Sequence, residues 1–589
     1  MTTEEELEIA RQRMTEAKAH KDGGRYAEAE LCLRQSLEIR ERLHGPENPD
    51  TAQTLHDLAV VFVRQDRHAE AEKLYHRALD IRERICGPEH PDTAQSLNYL
   101  ASLYSQTDRY DVAETTLQRA LSIRETALGP DHADTAESLN NLGILCIRQG
   151  RHAQAEPLFA RSLTIRENAP EPESYETSEV LNNQAHLYSL LGQYERAEPL
   201  YLRAVAIREK VRGPEHPDTA MALSNLATLY QKQGRYEKVE PLLMRAQVIR
   251  EKTYGLEHHE TAIGLNNLAQ LYQKQGKYEQ SEALILQALA ISEKVWGMES
   301  PHYALMLNNV AHLYQTQAKY QQAERLFLQA QAISERVKGP SHPDVARGWN
   351  NLAHLYQQLG DHSRAEQYYG QALNSYEQAF GREHPQTALC ANNLANLYLV
   401  KNRLNEAEAL LQQTLTIQEK LLGPDHTEVA TTLSNLAVTY NRQKRSGQAE
   451  TLHRRALAIR QKAFGFDHPT TAGSLNNLAF VFKVQKKYQE ALPLFQQALE
   501  ALEKVHGPDH PEVATIVNNL ALVHQKLGNN AEAEPLFLRS IGIWEHHFGP
   551  RHPKVLAGHQ TYAVFLFKQR RVAEAWRIFL RDIRAQQAQ

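Results

Sequence analysis

The stretch "GPEHPDTAMALSNLATLYQKQGRYEKVEPLL", residues 213–243, decides the fold, because close variants of it recur along the chain at a fixed step. Its glycine returns at Gly45, Gly87, Gly129, Gly213, Gly255, Gly297, Gly339, Gly381, Gly423, Gly465, Gly507 and Gly549, a spacing of 42 residues with two steps between Gly129 and Gly213. Glu171 stands at the skipped position, where "NAPEPESYETSEV" makes an irregular turn over 168–177 and leaves the register on both sides intact. One step before Gly45, a unit beginning near Thr3 carries "GGRYAEAELCLRQSLEIRERL", which matches the second half of the others. Fourteen such units fill residues 1–589 as a single continuous array and leave no room among them for a separate catalytic domain.

Each unit reads as two helices. Proline at Pro91, Pro217, Pro343, Pro385, Pro469 and Pro511 suits a first helical position, and Asp92, Asp218 or Glu512 beside it suits the positive end of the helix dipole. Counting the glycine as offset zero, Leu, Leu, Ala and Tyr follow at offsets 10, 13, 14 and 17, as in Leu223, Leu226, Ala227 and Tyr230. That is the i, i+3, i+4, i+7 stripe of one buried helix face. The first helix stops near Gly150, Gly192, Gly234, Gly276, Gly360 or Gly528, and the second opens at a tyrosine such as Tyr194, Tyr236 or Tyr278. Pro157, Pro199, Pro241, Pro493 and Pro535 predict that the second helix begins just before them or kinks there. One such pair cannot bury its apolar face alone, so the units must stack into an all-α solenoid.

The pattern Leu-Ala-x-x-Tyr, Gly-x-Tyr, Ala-x-x-x-Leu resembles the tetratricopeptide repeat, and the longer unit with "GPEHPDTA" and "LNNLA" resembles the repeats of kinesin light chain and its bacterial relatives. The resemblance implies an α-solenoid superhelix, a scaffold or peptide-receptor role, and first helices lining a concave side. The long heptad coiled coil of kinesin light chains is not expected among these residues, so kinesin assembly is not implied.

Removing the buried offsets leaves offsets 8, 11, 12, 15, 18 and 19 of the first helix for that concave side. Offsets 11 and 12 are nearly constant asparagines, among them Asn266, Asn308, Asn350 and Asn392 in one column and Asn267, Asn309, Asn351 and Asn393 in the next. Asparagine inside a helix costs roughly half a kcal/mol relative to alanine, so these placements need compensation. Two accounts stand: an amide ladder between units, or a row of amides clamping the backbone of an extended peptide. Neighbouring residues point about 100° apart, so one column is expected to be structural and the other to face ligand. Offset 15 is polar through the middle units (His186, Thr228, Gln270, His312, His354, Asn396) and apolar toward the ends (Val60, Ile144, Val438, Phe480, Leu522, Val564). Gln231, Gln273, Gln315 and Gln357 follow at offset 18, and Arg64, Arg148, Lys232, Lys274 and Arg442 are among the basic residues at offset 19. The expected peptide-binding set is therefore Asn267, Asn309, Asn351, Asn393, Gln273, Gln315, Gln357, His312, His354, Lys232 and Lys274. A mildly basic groove in a chain of net charge −5 suits a partner with acidic residues; a solvated charge row is the plainer alternative.

Ten of the 28 histidines stand at offset 3, from His90 to His552. Equivalent positions of stacked helices lie roughly 8–10 Å apart, whereas zinc needs ligands about 2 Å from one centre, so the column cannot chelate as a column. A turn histidine bonded to the neighbouring unit's loop is expected instead. Four cysteines without a CxxC spacing, 66 basic against 71 acidic residues, an acidic start, and no long apolar run predict no metal, no cofactor, no nucleic acid, no membrane contact and a cytoplasmic setting. No nucleophile elbow, phosphate loop or HExxH occurs, so the chain is not expected to be an enzyme. Two functions remain: a scaffold or adaptor holding a partner protein or extended peptide in the groove, or a self-assembling or regulatory scaffold using its ends and outer edge. Trp349 with Tyr368, Tyr369 and Tyr376 is either a stiffened core or an anchor pocket, and Tyr562 with Trp576 marks an end cap or end contact.

Overall fold

The computed structural model describes residues 3–65 and 67–587, and among them helices alternate in fourteen antiparallel pairs without a strand. The twelfth repeat is typical: Pro469–Val484 and Tyr488–His506 are its two helices. First helices begin on Pro91, Pro217, Pro343, Pro385, Pro469 and Pro511 as the dipeptide chemistry requires. The internal prolines fall inside the second helices, at the sixth residue of Tyr488–His506, rather than at their entrance. The irregular turn keeps the phase of the array. Tyr175 takes the place of the proline, Ser174 caps the helix Tyr175–Leu190 through Oγ at 3.2 Å from Thr177 N, and no residue is gained or lost.

These residues form two compact units. One holds the chain up to Leu190, Glu195–Asn225 and Ile249–Gly255; the other holds Leu191–Tyr194, Leu226–Val248 and the chain from Leu256 onward. In both, the recurrent alanines are at zero exposure, such as Ala59 and Ala71 in the first and Ala353 and Ala365 in the second, which lets helices approach closely while Leu and Tyr fill the space between them. Each leucine so buried contributes about 1.5–3 kcal/mol. Trp349 stacks on Tyr368 at 5.0 Å between ring centroids, and Tyr369 and Tyr376 are buried, so this aromatic group is core.

Polar side chains stitch the repeats together. Arg40, Arg82, Arg124 and Arg208, which the sequence pattern does not single out, are buried and donate to first-turn carbonyls of the following repeat, Arg124 Nη1 to Asp134 O at 2.7 Å. The basic residues of the inter-helix turn bond across repeats. Arg109 and Arg151 each pair with a glutamate of the preceding repeat, Glu72 and Glu114, and Arg109 and Arg445 also lie over the rings of Tyr104 and Tyr440.

Candidate functional site

The offset-3 histidines correct one expectation. Each of the ten caps its own first helix rather than a neighbour's loop: the backbone N–H two residues on donates to the imidazole Nδ1, as Asp92 N does to His90 at 3.2 Å and Thr470 N to His468 at 3.1 Å. An accepting Nδ1 places the ring proton on Nε2. In the second unit that proton has a use, because His468 Nε2 donates to the carbonyl of Lys232 at 2.8 Å, and His510 bonds the carbonyl of Lys274 in the same way. The inter-helix turns of the sixth and seventh repeats thus sit against the capped helix starts of the twelfth and thirteenth. Gly234, at φ +69°, is part of this contact: a Cβ there would lie 3.1 Å from His468 Cδ2 and 3.2 Å from Pro469. Tyr236 lies against His506 and Tyr278 against Phe548, with centroids 5.6 Å and 6.2 Å apart.

The asparagine columns form a ladder. Nδ2 of the offset-12 residue donates to Oδ1 of the offset-11 residue one repeat earlier: Asn309 to Asn266 at 2.8 Å, Asn393 to Asn350 at 3.0 Å, Asn435 to Asn392 at 3.0 Å, with Asn351 to Asn308 longer at 3.4 Å. Both columns therefore take part, and they differ in exposure. Asn266 and Asn392 are buried, whereas Asn267, Asn309, Asn351 and Asn393 are half-buried and keep an edge toward solvent.

The glutamines are bonded as well, Gln273 and Gln315 between repeats and Gln357 within its own. Gln273 Nε2 donates to Thr316 Oγ1 at 3.0 Å, Gln315 reaches Gln358 Oε1 at 3.0 Å and His354 Nδ1 at 2.9 Å, and Gln357 accepts from Tyr369 OH at 3.2 Å. His312 packs edge-on against Phe327, and burial, with His354 nearby, pushes its imidazole down to about 4. Gln270, His354 and Asn396 stand exposed on this face of the first helices. Arg148 and Arg442, from the basic offset, turn back onto the carbonyls of Ser105 and Leu399. Lys232 and Lys274 instead line a cleft of 630 Å³ whose other wall is His468, Asn476, His506 and Glu512, all in the second unit. Burial pushes the Lys232 ammonium down.

Two clusters form within single turns, which a search along the histidine column misses: Cys86 with His90 and Asp92, and His506 with His510 and Glu512. The signal is a Cys or His immediately before the repeat glycine, with His at offset 3 and an acid at offset 5. In both, the offset-3 Nδ1 lone pair already serves as a helix cap, so these are capping turns first. His506 differs from its neighbours: its side chain is 4 % exposed, and neither ring nitrogen has a hydrogen-bond partner.

The tetratricopeptide repeat pattern matches residues 13–83, 61–126, 100–168, 176–247, 222–294, 302–378, 344–420, 387–462 and 470–545. The chain belongs to the tetratricopeptide repeat family. Similar solved structures include the nearly identical TPR-like repeats of a Podosopora anserina kinesin light chain protein, at 27 % identity over 35 % of this chain and 97 % of that one with a TM-score of 0.30. BtubC (BKLC) from P. vanneervenii is 24 % identical over 42 % of this chain and 93 % of its own, at 0.32. A Rap protein complexed with Competence and Sporulation Factor is 14 % identical over 63 % and 99 %, at 0.43. No curated protein sequence matches. Among the described residues no helix of this tetratricopeptide repeat protein is long and apolar enough to cross a membrane.

Proposed function

We propose that this chain is a non-enzymatic scaffold, one continuous array whose first-helix face holds a partner protein or an extended peptide with acidic residues. Tetratricopeptide repeats generally mediate contacts between proteins, and the family's membership carries that much. The observation supporting the groove is the run of polar side chains over four consecutive repeats, exposed at Gln270, His354 and Asn396 and half-buried at His312, flanked by the half-buried Asn267, Asn309, Asn351 and Asn393. Each ladder amide uses one N–H between repeats and keeps a second for a ligand carbonyl.

The test is capture of partners from native lysate with the intact chain beside a Gln270→Ala, His354→Ala, Asn396→Ala variant. Gln270 and Asn396 stand in solvent and His354 gives up one side-chain hydrogen bond, to Gln315, so helicity should be unchanged. Loss of a captured partner supports the groove. Retention of the same partner at full yield overturns it and favours the second reading, attachment through the last repeat, where Phe567 and Trp576 are 60 % and 58 % exposed and Val564 stands one turn before Phe567 on the same helix.

A further inference from the structure

Within the second unit, the turns that follow the first helices of the fifth, sixth and seventh repeats meet the helix junctions of the eleventh, twelfth and thirteenth. Tyr194 stacks on Phe464 at 5.5 Å between centroids, and Tyr236 and Tyr278 lie against His506 and Phe548 in the same way. Each far ring in turn stacks on the capping histidine four residues on, Phe464 on His468 and His506 on His510 at 4.2 Å, Phe548 on His552 at 4.3 Å. The glycine of these turns belongs to the contact. A Cβ at Gly276 would lie 3.3 Å from His510 Cδ2, whereas later repeats carry Ala318, Asn402, Lys444, Lys486 and Arg570 at the same turn position with φ between +57° and +64°. The turn itself tolerates a side chain; the approach of the far repeat does not.

Closing this contact desolvates groups that prefer water. Burial pushes the imidazoles of His468 and His506 down to about 4, moves His510 and His547 in the same direction and lowers the Lys232 ammonium. His506 is buried with neither ring nitrogen bonded. Against this stand the ring pairs and the bonds from His468 and His510 to the carbonyls of Lys232 and Lys274, and a cleft of 630 Å³ remains between the walls. The repeats on each side keep contiguous cores of their own, Ala472 to Val523 on one wall and Ala269 to Leu313 on the other, and parting the walls cuts neither.

We propose that this contact is a clasp that acid releases: the turns of the fifth to seventh repeats leave the eleventh to thirteenth while every repeat keeps its helices. Once parted, the histidines regain water and their ordinary value of 6.5, so the open form binds more protons than the closed one between 6.5 and 4. Closure is therefore strongest above pH 6.5 and weakens as pH falls. His468 and His506 alone raise the ratio of open to closed about a hundredfold between about pH 7.5 and about pH 5.5. The charges around them add to the effect. Arg460 acts on His468; His468 and Lys274 act on His506; His506, His547 and Glu512 act on His510; His546 and Asp509 act on His547. Glu512, with its Oε2 3.7 Å from His506, also interacts with Lys554, and Tyr236 and Tyr278 stay protonated, pushed up to about 12 by burial. Two carboxylates thus face four imidazoles and three permanent cations, so each proton taken up in the closed form meets like charge. The cleft, whose walls lie six repeats apart, exists only while the clasp is closed.

The experiment measures the distance across the clasp in the full chain. Spin labels are placed at Glu237→Cys and Asp509→Cys, both exposed, with Cys86→Ser because the other three cysteines are buried. Double electron–electron resonance should give one short, narrow distribution at about pH 7.5 and a longer, broader one at about pH 5.5, with the helical circular dichroism signal unchanged. His506→Phe copies Phe464 and Phe548 at the same repeat position, keeps the stack and removes a titrating ring. It should hold the clasp closed to lower pH and make the transition less steep by about one proton. Tyr278→Ala should populate the long distance already at about pH 7.5. A distance that stays short until helicity is lost overturns the proposal, as does a His506→Phe chain that opens at the same pH as the parent.

Discussion

At His468 one imidazole does two jobs, and the first requires it to be neutral. Nδ1 accepts the helix-cap hydrogen bond, and the Nε2 proton reaches the Lys232 carbonyl six repeats earlier. Burial, reinforced by the Arg460 charge, pushes the ring from 6.5 down to about 4. The unfolded chain therefore binds more protons than the folded one between those values, so the stabilisation is complete above pH 6.5 and is lost as pH falls toward 4. His510 and His552 shift in the same direction, and burial is again the first cause. The expected outcome for His468→Asn follows from the geometry. Asparagine keeps the cap but neither titrates nor spans to Lys232. Near pH 7 the variant should be less stable than wild type by about 1 kcal/mol, the worth of the lost bond. Thermal melts at about pH 4.5 should show that gap closed or reversed. A gap that stays constant across the range would sink the argument.

At the scale of the helix pair, the 42-residue period, the proline starts and the glycine ends were all readable, because each follows from backbone chemistry local to a few residues. The function of the polar positions was not. Asparagine at offset 12 looks the same in sequence whether its amide faces a ligand or Asn266, since its partner lies one repeat away and the offset between them is fixed only by how the pairs stack. The buried arginines were missed for the same reason: Arg124 in "SIRET" reads as a surface cation until Asp134 O and Ser138 Oγ are brought to it. The histidine caps escaped because histidine is outside the usual Ser, Thr, Asp and Asn set. The ladder makes a prediction at this scale. Asn309→Ala leaves the buried Asn266 Oδ1 without its donor, a cost of about 1–3 kcal/mol offset by roughly half a kcal/mol of better helix propensity. A urea titration should therefore move the midpoint down, whereas Gln270→Ala on the same face should leave it in place. Equal midpoints for the two variants would mean the ladder contributes nothing net.

For the molecule as a whole, a stacked array is expected to respond to mutation only in a repeat and its immediate neighbours, because stability is a sum of repeat and nearest-neighbour terms. The second unit adds contacts that break this rule. Tyr278 packs against Phe548 and His547, Tyr236 against His506, and Gly276 against His510, all between repeats about six apart. No sequence period reveals them, since they depend on small rotations accumulated over many stacked pairs. They join the walls of the lysine cleft, so the cleft is only as rigid as these ring contacts. Tyr278→Ala removes a stacked ring at 6.2 Å from Phe548. Aromatic pairs of this kind are worth about 0.5–1.5 kcal/mol beyond burial, enough to raise local opening severalfold. Hydrogen exchange followed by mass spectrometry should then show faster exchange in two separated places, the turn before Tyr278 and the segment around His547 and Phe548, with little change in the repeats between. Faster exchange confined to the seventh repeat and its sequence neighbours would mean the array behaves as a one-dimensional stack and the far contact carries no coupling.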